Sequence, residues 1–271
     1  EYNLSVGVTA LDAVTTGDAN IAIGHDALSA NTTGSGNLAI GYGAYDNADT
    51  EGNNMAIGRD ALGGSINGGE TNIAIGNYSL DANTSGDLNI GLGYVSLTQN
   101  STGSSNVGIG NSAMQLNQTG SSNTTLGNNS MKSSLSSSYN TAVGAEALFD
   151  ANRTADTDGY NTALGYNAGN TGTNDITTGN KNTLLGASTA ASAAAGTNQT
   201  VIGFGASGTA DNSVTIGNSS VTAWYPGSDD TADLGSNSVE FKDLYIDGTA
   251  NLDAVDIDAG AIDGAAIGAN S

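Results

Sequence analysis

A short apolar segment, a glycine, two variable residues, a small residue and a leucine or methionine follow one another, then a polar stretch intervenes and the unit starts again. Asn20-Ile21-Ala22-Ile23-Gly24-His25-Asp26-Ala27-Leu28 shows the unit clearly. Its glycine recurs at Gly7, Gly24, Gly41, Gly58, Gly76, Gly93, Gly110, Gly127, Gly144, Gly165, Gly186, Gly203 and Gly217, and the successive spacings are 17, 17, 17, 18, 17, 17, 17, 17, 21, 21, 17 and 14. Such regularity predicts a repeat architecture in which each copy is stabilised by its neighbours.

The residue before the glycine is always aliphatic, as at Ile23, Ile40, Ile57 and Ile75, and the residue before that is usually small, as at Ala22, Ala39, Ala56 and Gly91. Successive strand residues point to opposite faces, so one face carries aliphatics and the other is kept small. We expect the aliphatic column to be buried and the small column to allow another chain to approach. The glycine suits a positive φ or a close backbone approach. The following pair, as in Ala27-Leu28 and Ala147-Leu148, predicts a second short strand with Leu inward. Period-two alternation punctuated by glycine argues against helix.

The predicted fold is all-β: a parallel β-roll of about 17 residues per coil, with two short strands and two turns in each coil. Thirteen coils make a rod of roughly 60 Å. A roll this thin leaves one sheet face uncovered, and we expect a homotrimer. The array occupies residues 1–222. Residues 223–250 follow as a neck of short strands, with Trp224 as a cap over the last coil, and residues 251–271 read as the truncated start of a fibre shaft. From Asn161 onward the coils loosen, and the position three before the glycine turns to threonine at Thr124, Thr141, Thr162, Thr183 and Thr200.

Composition narrows the chemistry. With 5 Lys and Arg against 27 Asp and Glu, the net charge of -22 argues against a nucleic-acid partner. There is no cysteine, so disulfides and thiol chemistry are excluded. No apolar run approaches a membrane span. His25, the single histidine, stands in a variable column shared with Tyr42, Arg59 and Asn77, which reads as solvent-facing. Carboxylate pairs such as Asp156 and Asp158 lie in turns without a partner that would make one an acid and the other a base. No catalytic constellation emerges, and no cofactor is expected; structural calcium at Asp253, Asp256 and Asp258 is the one alternative. Tyr42, Tyr94, Tyr166 and Phe204 share the position after the repeat glycine and form the candidate glycan-binding column, their alternative role being to shield the coil edge.

Two resemblances bear on function. The array resembles the β-roll heads of trimeric autotransporter adhesins, with Asn212-Ser213-Val214-Thr215-Ile216-Gly217 the nearest match, although the standard spacing of 17 is a departure from that family. Asp233-Leu234-Gly235-Ser236, Phe241-Lys242-Asp243-Leu244-Tyr245 and Ile262-Asp263-Gly264-Ala265-Ala266-Ile267-Gly268-Ala269-Asn270-Ser271 resemble segments of bacteriophage tail fibres. Both resemblances imply a trimer that holds a recognition surface away from a particle or cell. The expectation is therefore a non-enzymatic, host-attachment segment of a phage tail fibre in the virion tail, bound to copies of itself, to other tail proteins and to a cell-surface glycan or protein. An adhesin head at a bacterial cell surface is the alternative, and an ice-binding or purely structural solenoid is the second.

Overall fold

The computed structural model describes residues 2–65, 67–151, 159–225, 234, 236, 238, 239, 241–243, 245 and 246. The expected shaft at 251–271, its three aspartates, and Asp156 and Asp158 lie outside the described residues. The chain divides after Thr222 into two units. The first is a β-solenoid of about 17 residues per turn, and no helix occurs among the described residues.

Thirteen strands are described, each of three residues, from β1 (Leu4–Val6) and β2 (Ile21–Ile23) to β12 (Thr200–Ile202) and β13 (Val214–Ile216). They form one parallel sheet in chain order. Register is kept throughout: Ala22 pairs with Ala39, Ala39 with Ala56, and Ile23 with Ile40. A three-residue strand cannot persist alone, but each inner strand here is hydrogen-bonded on both sides by its copies, which is the nearest-neighbour stabilisation of a solenoid.

The two faces of the sheet are the reverse of the sequence expectation. Ala22, Ala39, Ala56, Ala74, Ala142 and Ala163 are completely buried inside the coil, whereas the aliphatic columns on either side of them point outward. Ile23 is exposed, and Ile40, Ile57 and Ile75 are half-buried. The small residues are small because the solenoid is thin. Across its interior they meet the column Leu28, Tyr45, Leu62, Leu80, Leu97, Met114, Met131 and Leu148, all fully buried. A small residue facing a large one fills the space that two large residues would overfill.

Leu28 thus points inward as expected, but its segment is a turn and not a second strand. Asp26 and Leu28 take φ of 57° and 55°, and the same two positions are left-handed in almost every coil. Left-handed residues cost about 1–2 kcal/mol each, so the conformation must be held by its surroundings. Inter-coil hydrogen bonds supply that hold: Asp26 N–H donates to the Val8 carbonyl in the coil below, and Leu28 N–H to the Ala44 carbonyl in the coil above. Alternating backbone handedness sends successive amides up and down the axis, so this side is laddered without being a strand.

Gly24 has φ of 141°, and a Cβ there would collide with the Gly41 carbonyl oxygen of the next coil. The repeat glycine is therefore fixed twice, by conformation and by the ladder.

Departures from the repeat come with compensations. Gly91 and Gly108 replace the inner alanine where Ser79 and Ser96 replace the alanine opposite; their hydroxyls donate to the Gly91 and Gly108 carbonyls at 2.9 and 2.7 Å. In the lengthened coil between Gly165 and Gly186 the inward leucine becomes Gly169, and Ile176 from the added residues is buried in its place. In the next two strands the inner residue enlarges to Leu184 and Val201, both buried. Core volume is conserved while its source moves. In the second unit Trp224, expected to cap the array, is 78% exposed.

Candidate functional site

The interior contains the feature that repeat reading left without a role. Ten asparagines that stand four residues before a repeat glycine, from Asn20 to Asn182, are buried, and their side chains link coil to coil. Asn20 Oδ1 accepts the backbone N–H of Asn37 at 2.9 Å, and Asn20 Nδ2 donates to the Gly34 carbonyl at 2.8 Å. The chain of such bonds runs unbroken from Asn3 through Asn54, Asn89, Asn123 and Asn161 to Gln199. A buried amide offsets its desolvation only when its donors and acceptor are used, and here they are. The signal was visible in the sequence: a polar residue present in nearly every copy does the same job in every coil.

A shorter ladder joins Asn83, Asn100 and Asn117. It stops at Asn117, whose Oδ1 is buried without a partner below the shorter Ser134. Two further substitutions are matched to their surroundings. Glu51, buried, occupies a position held by glycine at Gly34 and Gly86, and it stands in the coil before the one spacing of 18, Gly58 to Gly76. Its carboxylate accepts the amides of Gly68, Thr50 and Asp49 at 2.9, 3.1 and 3.3 Å. Tyr45 takes the leucine position, and its hydroxyl accepts from Asn54 Nδ2 at 2.5 Å. Burial pushes the Tyr45 phenol well above its ordinary range.

Two surfaces remain as candidates for function. The first is the outer sheet face. Thirteen strands each turn two residues outward, giving 26 side chains, of which Thr124, Thr141, Thr162, Thr183 and Thr200 are the only polar ones. No charge interrupts it.

The second is the edge just past the repeat glycine, where the expected Tyr42, Tyr94, Tyr166 and Phe204 are all exposed. Their surroundings differ. Tyr42 stacks on His25 of the preceding coil, with ring centroids 5.2 Å apart and planes 13° apart, while the Arg59 guanidinium of the following coil lies 5.4 Å from its centroid. Both faces of the Tyr42 ring are thus covered. Tyr94 meets Tyr78 edge to face at 6.3 Å. Tyr166 stands between Ala145 and Ala187 in the column, and Phe204 between Ala187 and Asn218. His25 Nδ1 and Arg59 Nε lie 2.6 and 3.2 Å from Asp26 and Asp60 respectively, so each basic group has its own carboxylate.

Asp46 and Asp81 sit beside this edge with carboxyls raised above the ordinary range, first by burial and then by the charge of Asp60. Among the described residues no group of three or more His, Cys, Asp or Glu is placed to hold a metal ion, and no helix is long and apolar enough to cross a membrane. Compared with protein-family models, curated proteins and solved structures, the chain matches none.

Proposed function

We propose that this chain is a structural rod that associates with two further copies of itself through its outer sheet face and presents its edges for attachment to a cell-surface glycan or protein. One observation carries the reading: the outer face is a continuous strip of 26 outward side chains, 21 of them apolar and none charged. At about 4.8 Å per strand and 3.3 Å per residue the strip covers roughly 600 Å² in plan. A patch of that size equals or exceeds the largest normally left bare on a monomer.

A parallel, in-register arrangement is favoured by the asymmetry of the strip. Its first seven strands are wholly apolar, and the next five carry the threonines. Copies running in the same direction pair dry with dry and threonine with threonine; opposed copies would bury hydroxyls against aliphatics. Rotational symmetry about the rod axis also leaves no uncovered face. In this reading association uses the aliphatic face, and not the alanine column, which lies inside the coil.

The setting we propose is a phage tail fibre, supported by the sequence resemblances at 233–236, 241–245 and 262–271, with other tail proteins as neighbours in the virion. A bacterial adhesin head is the second reading, supported by the closing coil Asn212–Gly217. Detection of the protein in purified virions or at the cell surface separates the two.

Light scattering tests the association. The expected mass is three times 26.6 kDa, about 80 kDa. Replacing Ile57 and Ile75 together by Asp should yield a folded monomer, since two charges would enter an apolar interface. A wild-type mass of 26.6 kDa, or an unchanged assembly in the double variant, rejects the proposal.

A further inference from the structure

We infer that Tyr166, Ala187 and Phe204 form a slot for a neutral pyranose ring, with the two aromatic rings as walls and the alanine as floor. The inference deepens the attachment reading above and depends on it for its biological sense. The three residues follow the repeat glycines of three successive coils, and the backbone fixes their register. The Tyr166 carbonyl accepts the Ser188 amide at 2.8 Å, the Ala187 carbonyl accepts the Gly205 amide at 2.9 Å, and the Phe204 carbonyl accepts Asn218 Nδ2 at 2.7 Å.

Tyr166 and Phe204 are therefore two coils apart, about 10 Å along the axis. Carbon atoms in contact lie about 3.5–4.0 Å apart. A flat aromatic ligand between the two walls would need only about 7 Å and would leave one wall untouched. A pyranose chair takes up about 8 Å through its two carbon–hydrogen faces, and its axial and exocyclic groups span the rest of the gap.

The column shows what closes such a slot. At Tyr42 a side chain in each adjacent coil occupies the space over the ring, and in the column two residues before the strands Tyr139 and Tyr160 stack at 5.2 Å. At Ala187 nothing longer than a methyl group stands between the walls, and among the described residues neither ring has a stacking or cation partner of the kind that flanks Tyr42. Ser188, which follows Ala187, is partly exposed.

Charge selects a neutral sugar. Lys181, the one basic residue between Tyr166 and Phe204 in sequence, precedes its strand, whereas the slot residues follow theirs. An acidic sugar would meet a protein of net charge -22. The carbon–hydrogen faces of a neutral pyranose suit the aromatic walls.

The experiment is saturation-transfer NMR on the full chain with methyl glycosides of glucose, galactose, mannose and N-acetylglucosamine, and with methyl glucuronide as the charged control. At least one neutral glycoside should show saturable transfer with a dissociation constant in the millimolar range. Tyr166→Ala and Phe204→Ala should each weaken it at least fivefold. Ala187→Tyr, which fills the slot with a ring of the kind the Tyr139–Tyr160 stack already accommodates, should abolish it, while Tyr42→Ala should leave it unchanged. No transfer to any neutral glycoside, stronger transfer to the glucuronide, or binding that survives Ala187→Tyr overturns the inference. If Ala187→Tyr loses its folded circular dichroism spectrum, the Tyr166→Ala result decides. Mass measurements on the same samples report on association separately, so a rod that assembles but binds no glycoside is distinguished from one that fails to assemble.

Discussion

The inner and outer sides of the same thirteen strands obey different rules. Inside, each position is matched to its neighbour in three dimensions: alanine faces leucine, glycine faces serine, and every asparagine of the long ladder satisfies the coil above. Outside, the side chains are larger and more apolar, yet within one chain they have only each other. Departures inside are compensated within the coil or by the next coil, as Ile176 compensates for Gly169. Departures outside, such as the change from Val107 to Thr124, have no counterpart in the chain. The difference teaches that the inner side specifies the solenoid, and that the outer side is composed for something beyond the single chain.

The comparison breaks most severely at the repeat glycine. Gly76→Ala places a Cβ at φ 128° and against the Gly93 carbonyl oxygen, so it opposes both the backbone and the inter-coil ladder. We expect a loss of about 3 kcal/mol or more, read by denaturant titration. An outward change of similar size, Ile75→Ala, should lower the stability of the separated chain far less, since Ile75 is only half-buried there. Equal losses at the two sites would remove the distinction between the faces.

A sharper test of inner matching is the pair Gly91 and Ser79. A Cβ at Gly91 would collide with the Ser79 hydroxyl oxygen. Gly91→Ala alone should cost about 1–3 kcal/mol. Adding Ser79→Ala recreates the alanine–alanine pairing of the earlier coils and should restore most of that loss. A double-mutant cycle measures the coupling, and additive effects would show that the two positions do not compensate each other.

The smallest effect is expected at Tyr45. Tyr45→Phe removes the acceptor for Asn54 Nδ2, but that group also donates to the Gly69 carbonyl at 3.0 Å, so the loss near neutral pH should be about 1 kcal/mol or less. Alkali should reveal more. Because burial holds the folded phenol above its ordinary value, the unfolded chain releases this proton first as pH rises. The stability that this group contributes is therefore intact below about pH 10 and is lost progressively above it. Tyr45→Phe lacks that loss, so the stability difference between the two proteins should shrink or reverse in alkali, as followed by urea unfolding at pH 8 to 11.

Much of this was legible in the residues. The period, the parallel stacking and the inward Leu28 follow from spacing alone, because a unit that recurs at so constant an interval must meet its own copy. The exposed column of Tyr42, Tyr94, Tyr166 and Phe204 was legible as a column. What surrounded each ring was not, since covering Tyr42 takes His25 and Arg59 from coils on either side. The second strand expected at Ala27-Leu28 was misread because left-handed φ at non-glycine residues carries no mark in composition; it is imposed by the inter-coil hydrogen bonds.

The sequence by itself determined that the chain is a repeat of short β segments with one large and one small face. Only the tertiary structure decided which face is inside. Alternation along a strand separates two faces without ranking them, and burying the larger side chains is the natural first expectation. A coil this narrow overrules it: with Leu28 and its copies already filling the interior, only a small residue fits opposite, alanine or glycine in most coils and threonine at Thr125. The isoleucines are outside because there is no room for them within, and Asn20, though polar, is inside because the copy above and the copy below supply its hydrogen bonds.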